Sequence, residues 1–180
     1  MIIFFKKIIR KKIYFSGPFE NWEIAESKST GYDSDEIFQK VKKSALFIKQ
    51  NKKGYERDSI ISYDTDYDKY ILKLFDLYSD KNNKTIKILD FGGSIGSLYF
   101  KYKKKFKNKF LWSIIEQKKF VDEGKKNFQN DELNFFYNIN EYLNLHNPDI
   151  ILASSSLQYL KNYKEDLKKI IDSNAKHIII

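Results

Sequence analysis

Asp90, Gly92, Gly93 and Gly96 follow directly on an apolar run, in the order Ile86-Lys87-Ile88-Leu89-Asp90-Phe91-Gly92-Gly93-Ser94-Ile95-Gly96-Ser97. The β-branched run predicts a short buried strand that ends in an acid and opens into a glycine turn. Leu98, Phe100 and Tyr102 then give a helix an apolar side, so the unit reads strand, tight turn, helix. Glycine suits such a turn because the absent Cβ lets the chain bend and lets a ligand approach the main chain. The dinucleotide fingerprint G-x-G-x-x-G does not fit, since Phe91 stands where its first glycine belongs. A pyrophosphate beside Asp90 would meet a like charge, and no G-K-[ST] follows. A ligand with ribose and adenine, no phosphate and some cationic character fits these residues better. A plain strand-to-helix turn of another α/β protein is the alternative.

S-adenosylmethionine (SAM) has the required chemistry, with a sulfonium and an ammonium on a nucleoside. A second acid supports it. Phe110 to Ile115 reads as the next strand, and Glu116 at its tip follows Gly96 by about 20 residues, where a Rossmann-type site places the acid that accepts from ribose hydroxyls. Arg57, between Glu56 and Asp58, stands out in a chain where only Arg10 and Arg57 are arginines among 33 basic residues. Its planar fork could clamp a carboxylate or phosphate, and an internal salt bridge to Glu56 or Asp58 is the other reading. Ser154-Ser155-Ser156-Leu157-Gln158-Tyr159-Leu160 continues from a further strand, Pro148 to Ala153, and would line the crevice at the strand ends. A serine-hydrolase reading lacks a G-x-S-x-G elbow, and His146 and His177 fall at the wrong strand ends for a triad. Two histidines without cysteine, at no ligand spacing, give no metal-site signal.

The elements that must position these residues are ordinary for an α/β domain. A helix is predicted from Asp33 or Ser34 to about Gln50, another from about Thr65 to Tyr78, and others over Phe120 to Phe128 and Lys164 to Asp172. Leu133 to Ile139 reads as a third strand, whose Asn138 and Asn140 could meet an adenine edge, and His177 to Ile180 as a fifth. Ser16 to Tyr32 reads as a loop. The expected division is an N-terminal extension and helical cap over 1–84 and a SAM-binding Rossmann-like domain over 85–180. With no cysteine there is neither a disulfide framework nor a thiolate metal site, in keeping with a cytoplasmic setting. The net charge of +9 would point to a polyanion. Its lysines sit among many Asn, Ile, Tyr and Phe, a mixture that suits AT-rich coding, so nucleic acid ranks as a minor alternative, testable by salt-dependent RNA binding. Residues 1–15 alternate Ile/Phe pairs with Lys/Arg. They are too short to span a bilayer and could rest weakly on the inner membrane surface, or pack on the domain.

Taken together the chain resembles the class I SAM-dependent methyltransferases. More narrowly it is similar to a bacterial methyltransferase family associated with surface-polysaccharide gene clusters. The resemblance runs through Trp22-Glu23-x-Ala25, Gly31-Tyr32-Asp33, Glu56-Arg57-Asp58-Ser59, the Leu89 to Ser97 turn, Trp112 to Gln117, and Ser154 to Leu160. It implies a doubly wound, mostly parallel sheet with an N-terminal helical extension. Asp90, Gly92, Gly93, Ser94 and Gly96 would hold the methionine part of SAM, Glu116 the ribose, and Ser154 the methyl-transfer side. Arg57 and Gln158 would bind the acceptor, a small or glycan-linked molecule methylated on oxygen or nitrogen, and Tyr159 or Asp58 would take a proton. The class carries a final helix and strands 6–7 beyond the position of Ile180, which implies an unpaired edge at strand five, open to a second copy or a partner chain. On that reading a truncated, non-catalytic SAM-binding or partner-binding remnant is the alternative function.

Overall fold

The computed structural model describes residues 16–29, 33–51, 53–57, 59–63, 66–78, 85–106 and 109–180. The basic segment 1–15 and Asp58, with the expectations attached to them, lie outside this set. The chain divides into two compact units, Met1–Gly31 and Tyr32–Ile180. The sequence reading drew its boundary at residue 84, whereas here the two helices before the glycine turn share a unit with the sheet.

The first unit contains a helix, α1 (Trp22–Lys28), where a loop was expected. Asn21 is the reason: its side-chain oxygen accepts from the Ile24 N–H at 3.0 Å and caps the first turn.

The second unit opens with α2 (Asp35–Asn51), whose Ser34 hydroxyl accepts from the Ile37 N–H, as the capping signal predicts. An antiparallel hairpin follows, β1 (Tyr55–Arg57) and β2 (Ile60–Ser62). Three-residue strands give too little alternation to be read from sequence. Then come α3 (Lys69–Tyr78), β3 (Ile86–Phe91), α4 (Ser97–Tyr102), β4 (Phe110–Ile115), α5 (Lys118–Asn127) and β5 (Leu133–Phe136). The third expected strand stops at Phe136 because Asn138 caps a short helix, α6 (Ile139–Leu143), accepting from the Glu141 N–H at 2.9 Å. The unit ends with β6 (Ile150–Leu152), a 3-10 turn over Leu157–Tyr159, α7 (Tyr163–Asp172) and β7 (His177–Ile179).

The sheet has the order β5-β4-β3-β6-β7 with every pairing parallel. The first strand of the sheet is therefore its centre, and the chain crosses from one side of it to the other between β5 and β6. This is a Rossmann-like α/β fold, and the crevice at a reversal of strand order is where such sheets bind ligands. Alternation along the strands feeds two cores. Ile86, Ile88, Trp112, Ile114 and Phe135 pack on the side of α2 to α5, and Leu89, Phe91, Ile115 and Ile151 pack on the side of α6 and α7. The histidines serve this packing: His146 lies edge-on to Phe136, and His177 to Tyr78.

Candidate functional site

The carboxyl ends of β3, β4 and β6 open onto a cavity of about 640 Å³. Asp90, Gly92, Gly93, Ser94, Glu116, Ser154, Tyr159 and Arg57 all line it. Gly96 does not. It stands at φ +96°, a left-handed conformation that starts α4, and so shapes the turn from behind. Gln158 is exposed and does not line the cavity, because the 3-10 turn sends Leu157 into the core and Tyr159 toward the opening. Of the two asparagines, Asn138 lines the cavity and Asn140 does not, and the Asn138 oxygen is already engaged in capping α6.

Asp90 is 2% exposed. Its carboxylate accepts the Trp112 Nε1–H at 3.1 Å, from two positions earlier on the neighbouring strand than its own partner Ile114. Gly93 lies directly over it: a Cβ there would fall 2.5 Å from the Asp90 Cγ. Gly92, at φ +79°, would likewise put a Cβ 2.5 Å from that of Ser156. The two glycines thus close the turn onto both flanking walls and leave main chain bare toward the cavity.

Glu116 leaves the tip of β4 and turns back, accepting from the Gln117 N–H at 2.7 Å and from the Ser94 N–H at 3.3 Å. A third acid, Glu56, arrives from the hairpin and is only 5% exposed. One of its oxygens accepts the Ser59 N–H at 2.6 Å, and the other accepts the hydroxyls of Ser94 and Ser97. The sequence reading fixed on Arg57 and Asp58 and passed over Glu56; the E-R-D-S run held it, with no signal of where its partners lay. Nor does the sequence signal that Trp112 donates to Asp90.

Bringing these carboxylates together has an electrostatic cost. Burial pushes Asp90 up to about 7, against the Trp112 hydrogen bond, and the charge of Glu116 pushes the same way. Burial also raises Glu116, opposed by its backbone hydrogen bonds and reinforced by the charge of Glu56. The floor of the cavity is an anionic pocket that a cation would relieve. Among the described residues, no group of His, Cys, Asp and Glu is arranged to hold a metal ion.

No protein-family model matches the sequence, and no curated protein does. Among solved structures, the chain is similar to a protein of Methanococcus maripaludis assigned as a SAM-dependent methyltransferase, at 15% identity over 55% of this chain and 48% of that one, with a TM-score of 0.39. It is also similar to the plantazolicin methyltransferase BpumL in complex with a monoazolic desmethylPZN analogue and SAH, at 15% identity over 84% of this chain and 48% of that one, with a TM-score of 0.42. A complex of BpumL with a pentazolic analogue gives 17% identity, 77% and 55% coverage, and a TM-score of 0.40. The chain spans about half the length of the structures it matches. At such scores these likenesses assign no residue a role; the strand order itself defines the fold.

Proposed function

We propose that the chain binds SAM and transfers its methyl group to an oxygen or nitrogen of a small-molecule or glycan-linked acceptor. The observation that supports this best is the convergence of Asp90, Glu116 and Glu56 on one bare glycine turn in one cavity. A pyrophosphate there would face buried carboxylates at close range, whereas an ammonium or sulfonium would be attracted to them. Asp90 would pair with the ammonium, Gly92 and Gly93 would admit the methionine chain against the backbone, and the oxygens of Glu116 would accept from the ribose hydroxyls. The cofactor supplies an already electrophilic methyl group. What remains for the protein is alignment, which the rigid strand tips are suited to give. Ser154 to Tyr159 would form the acceptor side, with Tyr159, 57% exposed at the opening, placed to accept a hydrogen bond from the nucleophile, whose proton would pass to water at the opening.

Calorimetric titration of the folded protein with SAM and with S-adenosylhomocysteine (SAH) tests this. Saturable binding of both is expected, and absence of binding overturns the proposal. Release of SAH over an acceptor panel then reads the transfer itself.

A further inference from the structure

A second, more open pocket of about 430 Å³ adjoins the first and is lined by Arg57, Asp66, Tyr67, Asp68, Lys69 and Lys101. Arg57 and Lys101 also line the larger cavity, so these two cations form the wall between the pockets. We propose that Arg57 and Lys101 together seat an anionic group, a phosphate or a carboxylate, carried by the methyl acceptor. This rests on the SAM reading for which cavity takes the nucleoside.

Both side chains are delivered by the elements that close the acid cluster. Arg57 follows Glu56 on β1, and Glu56 is fastened to Ser94 and Ser97. Lys101 lies one turn after Ser97 on α4, on the same side of the helix. Its ammonium donates to the Tyr55 hydroxyl at 3.2 Å and sits 4.6 Å from the centre of the Tyr55 ring, which fixes it at the boundary. The neighbourhood is not purely basic, since Asp66 and Asp68 line the second pocket together with Lys69. One oxygen of Asp68 accepts from the Tyr70 and Ile71 N–H groups at 2.8 and 3.1 Å, however, and so serves the start of α3.

The result is a cavity with acids at the strand tips and two cations on the wall it shares with the second pocket. A cationic nucleoside and an anionic acceptor would each lie against the opposite charge, with the reacting ends between them. An arginine fork gives two parallel donors to an oxyanion, and lysine adds charge without that geometry. Arg57 is exposed, so the seat is open to an incoming molecule.

The test uses the full chain saturated with SAH, titrated in parallel with inorganic phosphate and with malonate at low ionic strength. Saturable uptake of at least one anion is expected, weakened about tenfold or more in R57Q and in K101Q, with partial recovery in R57K. SAH affinity should stay within about twofold of wild type in each variant, and circular dichroism confirms that each remains folded. Tighter uptake of phosphate assigns a phosphate to the acceptor, and tighter uptake of malonate a carboxylate. Two results overturn the proposal: no saturable anion uptake by the folded protein, or a parallel loss of SAH affinity in R57Q, which would give the fork to the nucleoside's own carboxylate. If the wild type binds no SAH, the SAM reading fails by itself. The anion titration on the ligand-free chain then still decides the seat, upheld by uptake that R57Q abolishes and refuted by none.

Discussion

Replacing Asp90 by asparagine isolates the charge on which the site depends. Burial holds the Asp90 carboxyl up at about 7 in the folded chain, against an ordinary value of 3.8, so ionising it at pH 8 costs the native state about 4 kcal/mol. The sign follows from proton counting. Between about pH 4 and 7 the folded state holds a proton that the unfolded state has lost, so wild-type stability falls as pH rises through that window and levels off above it. Asparagine keeps an oxygen for the Trp112 N–H but brings an amide N–H₂ into a dry place, which takes back about 1–3 kcal/mol. D90N should therefore be more stable than wild type by about 1–3 kcal/mol at pH 8, and the advantage should shrink or reverse by pH 4. Urea unfolding at half-unit pH steps reads this directly, with constant m-values as the check on two-state behaviour. Subtracting the two curves removes remote groups and leaves Asp90 with its neighbour Glu116. Binding should move the other way. D90N should bind SAH at least about tenfold more weakly, because a charge-assisted hydrogen bond is lost, and wild-type affinity for SAM should fall as pH drops below about 7. A stability difference that is flat from pH 4 to 8 would refute the reasoning, as would tighter SAH binding by D90N.

Two further substitutions probe the same geometry. Gly93→Ala sets a Cβ 2.5 Å from the Asp90 Cγ, and since that carboxyl is held by Trp112 the turn must shift; a loss of about 1–3 kcal/mol in urea unfolding, with abolished SAH binding, is expected. Glu56→Gln weakens the tie between the hairpin and α4. It should cost about 1–2 kcal/mol, speed amide exchange over residues 55–62, and lower the Glu116 pKa by removing a like charge, seen by NMR titration.

The turn from Asp90 to Ser97, the acid at the end of β4 and the strand-helix alternation could be read from the sequence because each is a local pattern. Apolar runs of the right length, glycine where the chain must bend, and a carboxylate at a strand tip all announce themselves within a few residues. Glu56 could not be read so. Its partners Ser94 and Ser97 are 38 and 41 positions away, and nothing in Tyr-Glu-Arg says that the glutamate faces inward while the arginine stays outside. The bond from Trp112 to Asp90 needed the register of β3 on β4, which periodicity alone does not give. The caps at Asn21 and Asn138 are illegible for a different reason: asparagine is as common in loops as at helix starts, and only the N–H groups it accepts from decide between them.

The central place of β3 also orders the assembly of the domain in time. Its union with β4 joins residues 24 positions apart, Ile88 with Trp112, whereas reaching β6 joins residues 62 apart, Ile88 with Ile150. The longer closure costs roughly 1 kcal/mol more in chain entropy, and no hairpin can shorten it. The half of the crevice that holds the glycines and Glu116 is therefore expected to form ahead of the half that carries the serines and Tyr159, an order that pulse-labelled amide exchange during refolding would read. A newly made chain would build the acidic glycine floor of its cavity before the serine wall opposite.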